Sequence, residues 1–271
     1  MRPIVWERLT RSSLFLDQTD VPLKIDREQV EQFYYPLATY LLSKSSSVPR
    51  LMVAIAGPPA SGKSAFGMLL VAVLNAEAGG SVAALVGLDG WHYLNAYLET
   101  HFIEREGKQI TLRSIKGAPE TFDAAAAYDC LSRIRLGGQV SVPVYSRRLH
   151  EPIPAGEKID LAHRIVVVEG NYLLLDEEPW ARFRHLFDVR VFISASLETL
   201  LDGLRGRHLR GGKAPAPVER HIREVDLPNV KRVEPSAVHA QVRVYKADAW
   251  RIDRIEPGSE GDLSMPVGKG G

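Results

Sequence analysis

Apolar positions along the chain follow two rhythms. Short apolar-rich stretches fall at 51–56, 82–88, 165–168 and 188–193 and read as strands; Ile165 to Val168 is an unalternating β-branched run. Runs that do not alternate with polar residues mark strands covered on both faces. Elsewhere apolar residues recur every three or four positions: Val30, Phe33, Tyr34, Leu37, Leu41 and Leu42 in one segment, Phe66, Leu69, Leu70, Val73 and Leu74 in a second, Phe122, Ala126, Cys130 and Ile134 in a third. That spacing predicts helices. Residues 179–187 also read as helical, as does a segment from Ser196 to about Arg210, with Ser196 as N-cap and Glu198 in the first turn. Strands alternating with helices predict an α/β fold with a mostly parallel sheet.

Prolines and glycines punctuate this pattern. Pro36 lies inside the first helical segment and is expected to kink or break it. Gly79-Gly80 stops the second, and the third runs from Pro119 to Gly137-Gly138. Residues 101–118 are polar and read as a long loop over the site. Pro143 interrupts a short strand at 140–145, which suggests a sheet edge. After Arg210 come a glycine hinge at 211–217, a short helix near 217–225, a break at Asp226-Leu227-Pro228-Asn229 and a last strand over 241–252. Residues 1–26 have weak periodicity and read as an irregular arm. The expected organisation is one domain, 1–255, with an N-terminal helical arm (1–48), a lid (about 203–228) and a disordered tail (256–271) rich in Gly, Pro and Ser.

Composition narrows the class. Charged residues are 25% of the chain and apolar ones 45%, ordinary for a soluble globular protein. A net charge of +1 gives no sign of a nucleic-acid or membrane partner. The single cysteine, Cys130, excludes an intrachain disulfide and continues a helical apolar series, so it reads as a buried thiol. No apolar run approaches the length of a membrane span, and MRPIVWERLTRSS lacks a signal-peptide core. A cytoplasmic enzyme is the expectation, with a homodimer left open.

The chemistry gathers at the ends of the apolar runs. The first run leads into Gly57-Pro58-Pro59-Ala60-Ser61-Gly62-Lys63-Ser64, which fits G-x-x-x-x-G-K-[ST] at every position, and Ala65 opens the helical segment behind it. Such a loop points backbone N–H groups at phosphate oxygens, and the helix N-terminus adds positive potential there. Lys63 can reach the outer phosphates of ATP, and the Ser64 hydroxyl can ligate Mg2+. The second run delivers Asp89, a candidate base, or alternatively an N-cap. The third ends in Glu169, placed to reach Mg2+ directly or through water, or to sit satisfied in a turn. Asp123 can bind acceptor hydroxyls or match a helix dipole. Tyr145, Arg147, Arg148, His150 and Glu151 form a polar cluster after a strand, where Arg147 can fix an anionic or polyhydroxyl acceptor. Arg205, Arg207, Arg210 and Lys213 gather where a helix meets the hinge, suited to a mobile lid over a transferring phosphate.

With those residues in view, the chain resembles the uridine kinase, phosphoribulokinase and bacterial-type pantothenate kinase group of P-loop kinases over about residues 35–252. GLDGWHY resembles the segment with that group's catalytic aspartate, here Asp89, with His92 beside it as an acceptor contact. APETFD resembles the segment whose acid binds acceptor hydroxyls, here Asp123. PVYSRRLHEP resembles the acceptor-pocket segment, here Tyr145 and His150, and VVVEGNYLL the strand ending in the Mg2+-associated glutamate, here Glu169. The arginine-rich segment and DLPNVKRV look like the lid of the nucleoside/nucleotide kinase-like and fructose-transport-system kinase subgroup. The resemblance implies a three-layer P-loop NTPase sandwich with core strand order 2-3-1-4-5. It also implies an ATP- and Mg2+-dependent kinase acting on a hydroxyl of a small metabolite. Lys63, Asp89 and Arg207 would be catalytic; Gly57, Pro58, Ala60, Ser61, Gly62, Lys63, Ser64, Ala65, Arg205 and Arg210 would hold the nucleotide. The alternative is a nucleotide-binding regulatory protein with no small acceptor.

Overall fold

The structure, a computed structural model, describes residues 1–11, 14, 25–105, 107–211, 214–248, 250–261 and 268–269. Its central sheet is built from the apolar runs. Strands β1 (Leu51–Ala56), β2 (Ala83–Gly87), β7 (Ile165–Glu169), β8 (Val189–Ala195) and β9 (Val242–Lys246) lie parallel in the order β2-β7-β1-β8-β9. Counted along the chain, that is the 2-3-1-4-5 order of the P-loop fold.

The lack of alternation in these runs has a direct cause. Leu51, Val53 and Ile55 of β1, with Ile165 and Val167 of β7, enter one buried cluster; Met52, Ala54 and Ala56, with Val166 and Val168, enter another on the opposite face. The first is closed by α1 (Pro3–Arg11), α3 (Tyr35–Ser45) and α4 (Lys63–Ala78), the second by α6 (Ala124–Arg135) and a 3-10 turn, Ala181–Leu186. Helices cover both faces, so both faces of the central strands β1 and β7 must be apolar.

Several segments depart from their sequence reading. The supposed irregular arm begins with helix α1, whose Val5 and Leu9 are buried and whose Arg8 Nη1 donates to the Ala76 carbonyl at 2.9 Å. Residues 101–118 are not a structureless loop. After α5 (Asn95–Thr100) come a hairpin of β3 (Phe102–Arg105) and β4 (Lys108–Thr111) and a 3-10 turn, Leu112–Ile115, closed on a small core of Leu98, Leu112, Ile115 and Ala118. Strand β5 (Val140–Ser146) pairs with β6 (Glu151–Ile159) in a hairpin separate from the main sheet, and Pro143 sits at its register shift. The expected last strand is two: β9 turns back into antiparallel β10 (Ile252–Pro257), with β11 (Gly268–Lys269) beyond. The start of the expected tail is thus paired, and Gly258 N–H donates to Gln241 O at 2.8 Å. Residues 262–267 and 270–271 of that tail lie outside the described residues, as does Lys213.

Neither internal proline breaks its helix. After the single turn α2 (Arg27–Gln29), Val30–Tyr34 forms a π turn in which Tyr35 N–H reaches Val30 O, and Pro36 follows at once. The widened turn shifts the carbonyl four residues back off the pyrrolidine ring, and proline has no N–H to satisfy. The same device replaces the break expected at 226–229. Helix α8 (Pro215–His221) passes through a π turn, Ile222–Asp226, where Leu227 N–H reaches Ile222 O, into α9 (Leu227–Val233) with Pro228 next in line. Helix α7 (Leu197–Arg210) precedes them, capped by Ser196 Oγ accepting from Thr199 N–H at 3.2 Å.

Candidate active site

The loop between β1 and α4 takes a path that only its own sequence permits. Gly57 has φ of +150°, and a Cβ there would lie 2.4 Å from the Ile193 carbonyl. Ala60 and Gly62 are left-handed, with φ of 62° and 85°, and such turns gather backbone N–H groups into an anion-binding nest. Helix α4 starts with no side-chain cap, so its first N–H groups stay available to a phosphate. The Ser61 hydroxyl is buried with no hydrogen-bond partner among the described residues. Lys63 is buried and folds back to donate from Nζ to Pro58 O at 2.7 Å. Burial lowers its ammonium to about 8, against the opposing pull of Glu169 and Asp89 and with the help of Arg207.

The two acids converge on this loop. Odd-numbered residues of β7 point to the α4 side, and Glu169 is the next odd position. Ser64 Oγ, in the first turn of α4, donates to its Oε1 at 3.1 Å. Gly87 is in register with Glu169, and the chain two residues further on, within the 3-10 turn Leu88–Trp91, carries Asp89. The Asp89 side chain caps no helix and keeps 39% of its area open. Burial pushes its carboxyl up, but His92, Arg147, Arg207 and Lys63 outweigh burial and hold it below the ordinary value. Burial lowers His92, so at neutral pH the counter-charges are the two arginines and the lysine.

Around Asp89 lies an aromatic and cationic wall. His92 Nδ1 is 3.0 Å from the Asp89 carbonyl, which can only accept, so Nδ1 carries the proton. Its ring packs on Phe122 at 3.8 Å and near Tyr145 at 5.2 Å between centroids. Burial raises the Tyr145 phenol to about 12, with Asp89 adding to the shift and Arg147, Arg113 and Arg207 opposing it. A cleft of about 900 Å3 opens beside Asp89, Arg147 and Glu169 and runs along the free edge of β2, between α4 and the β5–β6 hairpin.

Helix α7 lies on the phosphate loop. A Cβ at Gly203 would stand 3.0 Å from Ala60 Cβ and 3.2 Å from Ala60 O. Only glycine allows the helix to approach that closely. Arg207, one turn further, thereby comes within electrostatic reach of Lys63 and Asp89. Its Nη2 also lies 3.5 Å from Asp226 Oδ1.

Comparison with known proteins agrees with this geometry. The family model for the phosphoribulokinase / uridine kinase family matches residues 52–205, more than half of the chain. The chain belongs to that family. It is accordingly a P-loop kinase that transfers a phosphoryl group to a hydroxyl of a small molecule, with the general ATP and Mg2+ dependence of its family. The uncharacterized protein YggC of Escherichia coli is 29% identical over 233 residues, 85% of this chain and 93% of that protein. A pantothenate kinase of Streptococcus pneumoniae is 25% identical over 288 residues, 93% of this chain and 90% of that one. Among solved structures, a "putative fructose transport system kinase" from Silicibacter sp. TM1040 superposes with a TM-score of 0.63 at 28% identity, covering 73% of this chain and 94% of that one. Among the described residues, no helix is long and apolar enough to cross a membrane.

Not every candidate residue of this kinase reaches the cleft. Asp123 caps α6, its Oδ1 accepting from Ala126 N–H at 2.9 Å. The exposed His150 ring lies beside Gly211, where a Cβ would be 3.8 Å from Cε1. Arg205 pairs with Glu219 at 2.7 Å and with Asp202 at 3.5 Å. Arg210 is exposed and folds back over Gly206 of its own helix. Two residues escaped the sequence reading. Lys116, from the supposed loop, donates to Asn95 Oδ1 and His150 O at 2.7 Å each and lies over the Tyr145 ring. Burial lowers it to about 8, with Arg113 adding and Glu151 and Asp89 opposing. Asp226 is buried and holds Arg207; its place in DLPN made it look like a helix breaker.

Proposed function

We propose that this kinase passes the γ-phosphoryl group of ATP to a hydroxyl of a small anionic metabolite, a sugar acid, hydroxy acid or sugar phosphate, with Asp89 as base. The observation that carries the reading is the setting of Asp89, an acid at the cleft floor held ionised among Lys63, Arg147 and Arg207. An ionised carboxylate can accept the acceptor's hydroxyl proton. A low basicity suits phosphoryl transfer, where bond breaking leads and the proton leaves late. The new bond joins the acceptor oxygen to Pγ, the bond from Pγ to the bridging oxygen breaks, and the proton passes to Asp89. Lys63 and Arg207 offset charge on the transferring group. Ser64 and Glu169 offer a hydroxyl and a carboxylate 3.1 Å apart, a hard oxygen pair of the kind Mg2+ takes while keeping water and phosphate as its other ligands. Bound there, the ion would neutralise the β- and γ-phosphates.

An anionic acceptor follows from what faces the cleft. Arg147 and Tyr145 line its Asp89 end, and Lys116 and Arg113 add positive potential beside Tyr145, more positive charge than a neutral nucleoside or sugar needs. The relatives' names span uridine, pantothenate and fructose transport, so the family tolerates several acceptors. The test is a thermal-shift screen of sugar acids, hydroxy acids, sugar phosphates, neutral sugars and nucleosides with a non-hydrolysable ATP analogue, followed by turnover assays on the hits. Asp89→Asn is expected to lower turnover about 100-fold or more while ATP still binds. Unchanged turnover removes Asp89 from the role. A neutral acceptor with turnover indifferent to Arg147→Ala removes the anionic assignment.

A further inference from the structure

Helices α7 and α8 and the π turn behind them carry a cluster that meets the proposed transfer machinery only through the Asp226–Arg207 contact. His208 on α7, His221 at the end of α8 and Asp226 in the π turn bring one ligand atom each within 4.8 Å of one another. His208 Nε2 is 2.8 Å from Asp226 Oδ2. The two imidazoles meet edge-on, centroids 4.9 Å apart and planes at 81°. His208 and Asp226 are 9% and 4% exposed, while His221 is half-buried. The group therefore has a closed floor and a mouth open to solvent. The Asp226 carboxylate is divided: Oδ2 meets His208 and Oδ1 lies 3.5 Å from Arg207.

We propose that His208, His221 and Asp226 bind a transition-metal dication of the Zn2+ type. Two imidazoles and one carboxylate, with water in the fourth position, are a tetrahedral zinc set. Mg2+ prefers oxygen donors and keeps its waters, so it passes over a site with two imidazoles. This site is therefore chemically distinct from Ser64 and Glu169. Ligand atoms at tetrahedral zinc lie roughly 3.3 Å apart, given bonds of about 2.0 Å. The half-buried His221, at the end of a seven-residue helix, is the member that closes the difference. The Arg207 guanidinium next to Asp226 opposes a dication and weakens its binding. The bound ion ties α7 to the α8–α9 turn through a carboxylate that also holds Arg207, and so restrains that arginine.

The experiment uses the full chain, freed of any affinity tag, stripped with chelator and without nucleotide. Titration with Co2+ is expected to give one equivalent bound with the visible absorption of a tetrahedral nitrogen/oxygen site, displaced by Zn2+, and Zn2+ is expected to raise Tm. His221→Ala should weaken Zn2+ roughly tenfold or more and abolish both signals, whereas Glu169→Gln, which alters the phosphate-loop site, should keep them. Wild-type Zn2+ binding in His221→Ala overturns the proposal, as does the absence of a tetrahedral Co2+ spectrum in the wild type or loss of the signals in Glu169→Gln. Circular dichroism checks folding, and if His221→Ala is unfolded, His221→Gln takes its place with the same outcomes.

Discussion

The contact between Gly203 and Ala60 makes a sharp test of how α7 serves the phosphate loop. Gly203→Ala adds one carbon 3.0 Å from Ala60 Cβ and 3.2 Å from Ala60 O, so one partner must retreat by a few tenths of an ångström. Ala60 cannot easily yield. It is left-handed, φ 62°, in a loop pinned between β1 and α4, so the helix moves and carries Arg207 with it. Gly206→Ala is the control: its Cβ would meet only the end of the Arg210 side chain, at 3.1 Å. Both changes gain helix propensity, roughly 0.5–1 kcal/mol each. The control should raise Tm by about 1–4 °C. Gly203→Ala also meets an overpacking cost of about 1–3 kcal/mol, leaving Tm level with or below wild type. The larger effect is on function. Displacing a charge-stabilising side chain by a fraction of an ångström should lower turnover about tenfold and weaken ATP, while Gly206→Ala keeps both. Fluorescent-nucleotide titration and steady-state kinetics with the acceptor from the screen read the two quantities. If Gly203→Ala matches Gly206→Ala in turnover, ATP affinity and Tm, the close approach of α7 has no part in catalysis.

Two further outcomes concern charge and the core. Lys63 is lowered to about 8 from an ordinary 10.5, so above pH 8 the folded lysine loses its proton while the unfolded one keeps it. The unfolded chain then binds more protons, and the Lys63 contribution to stability rises with pH between those values. Phosphate affinity moves the other way: ATP should bind about tenfold more weakly at pH 9.5 than at pH 7. Calorimetry should show that dependence flattened in Lys63→Met, and an equally steep one in the variant would clear Lys63. Gln29, 5% exposed, makes a two-way bond with the backbone of Ile252: its Nε2 donates to the carbonyl at 3.2 Å, and its Oε1 accepts from the N–H at 2.7 Å. Gln29→Leu orphans both groups and should cost about 2–5 kcal/mol in urea unfolding; a loss below about 1 kcal/mol would show that water or relaxation replaces the pair.

The parallel core was legible because its central strands β1 and β7 are sealed on both faces, which writes itself as runs such as Ile165 to Val168. The hairpin at 102–111 was not, because its exposed strands, FIER and KQIT, look like loop; only Leu98, Leu112 and Ile115 make it a unit. Pro36 and Pro228 are accommodated without a break for one reason. A helix breaker is judged against an α turn, and a π turn directly ahead removes the clash. In the site, the phosphate loop was legible from spacing, and Asp89 and Glu169 from their position at strand ends. Lys116 and Asp226 were not, since what makes each notable is a partner far along the chain: His150 O for one and His208 for the other.

The charged groups of the cleft are answered from inside the protein, by bonds that the proposed chemistry would exchange for bonds to the nucleotide. Lys63 donates to Pro58 O, Ser64 donates to Glu169, and Arg207 leans on Asp226. Each is a donor or acceptor that the proposed chemistry assigns to a phosphate, to Mg2+ or to the transferring group. Internal partners of this kind reduce the cost of burying these polar groups. Asp89 keeps an open face toward the cleft, its counter-charges spread over several side chains. On the proposed reading a base must stay accessible to the acceptor while the phosphate-binding groups keep internal partners, and the fold separates the two: strand ends carry Asp89 and Glu169, while the loop and α7 carry Lys63 and Arg207.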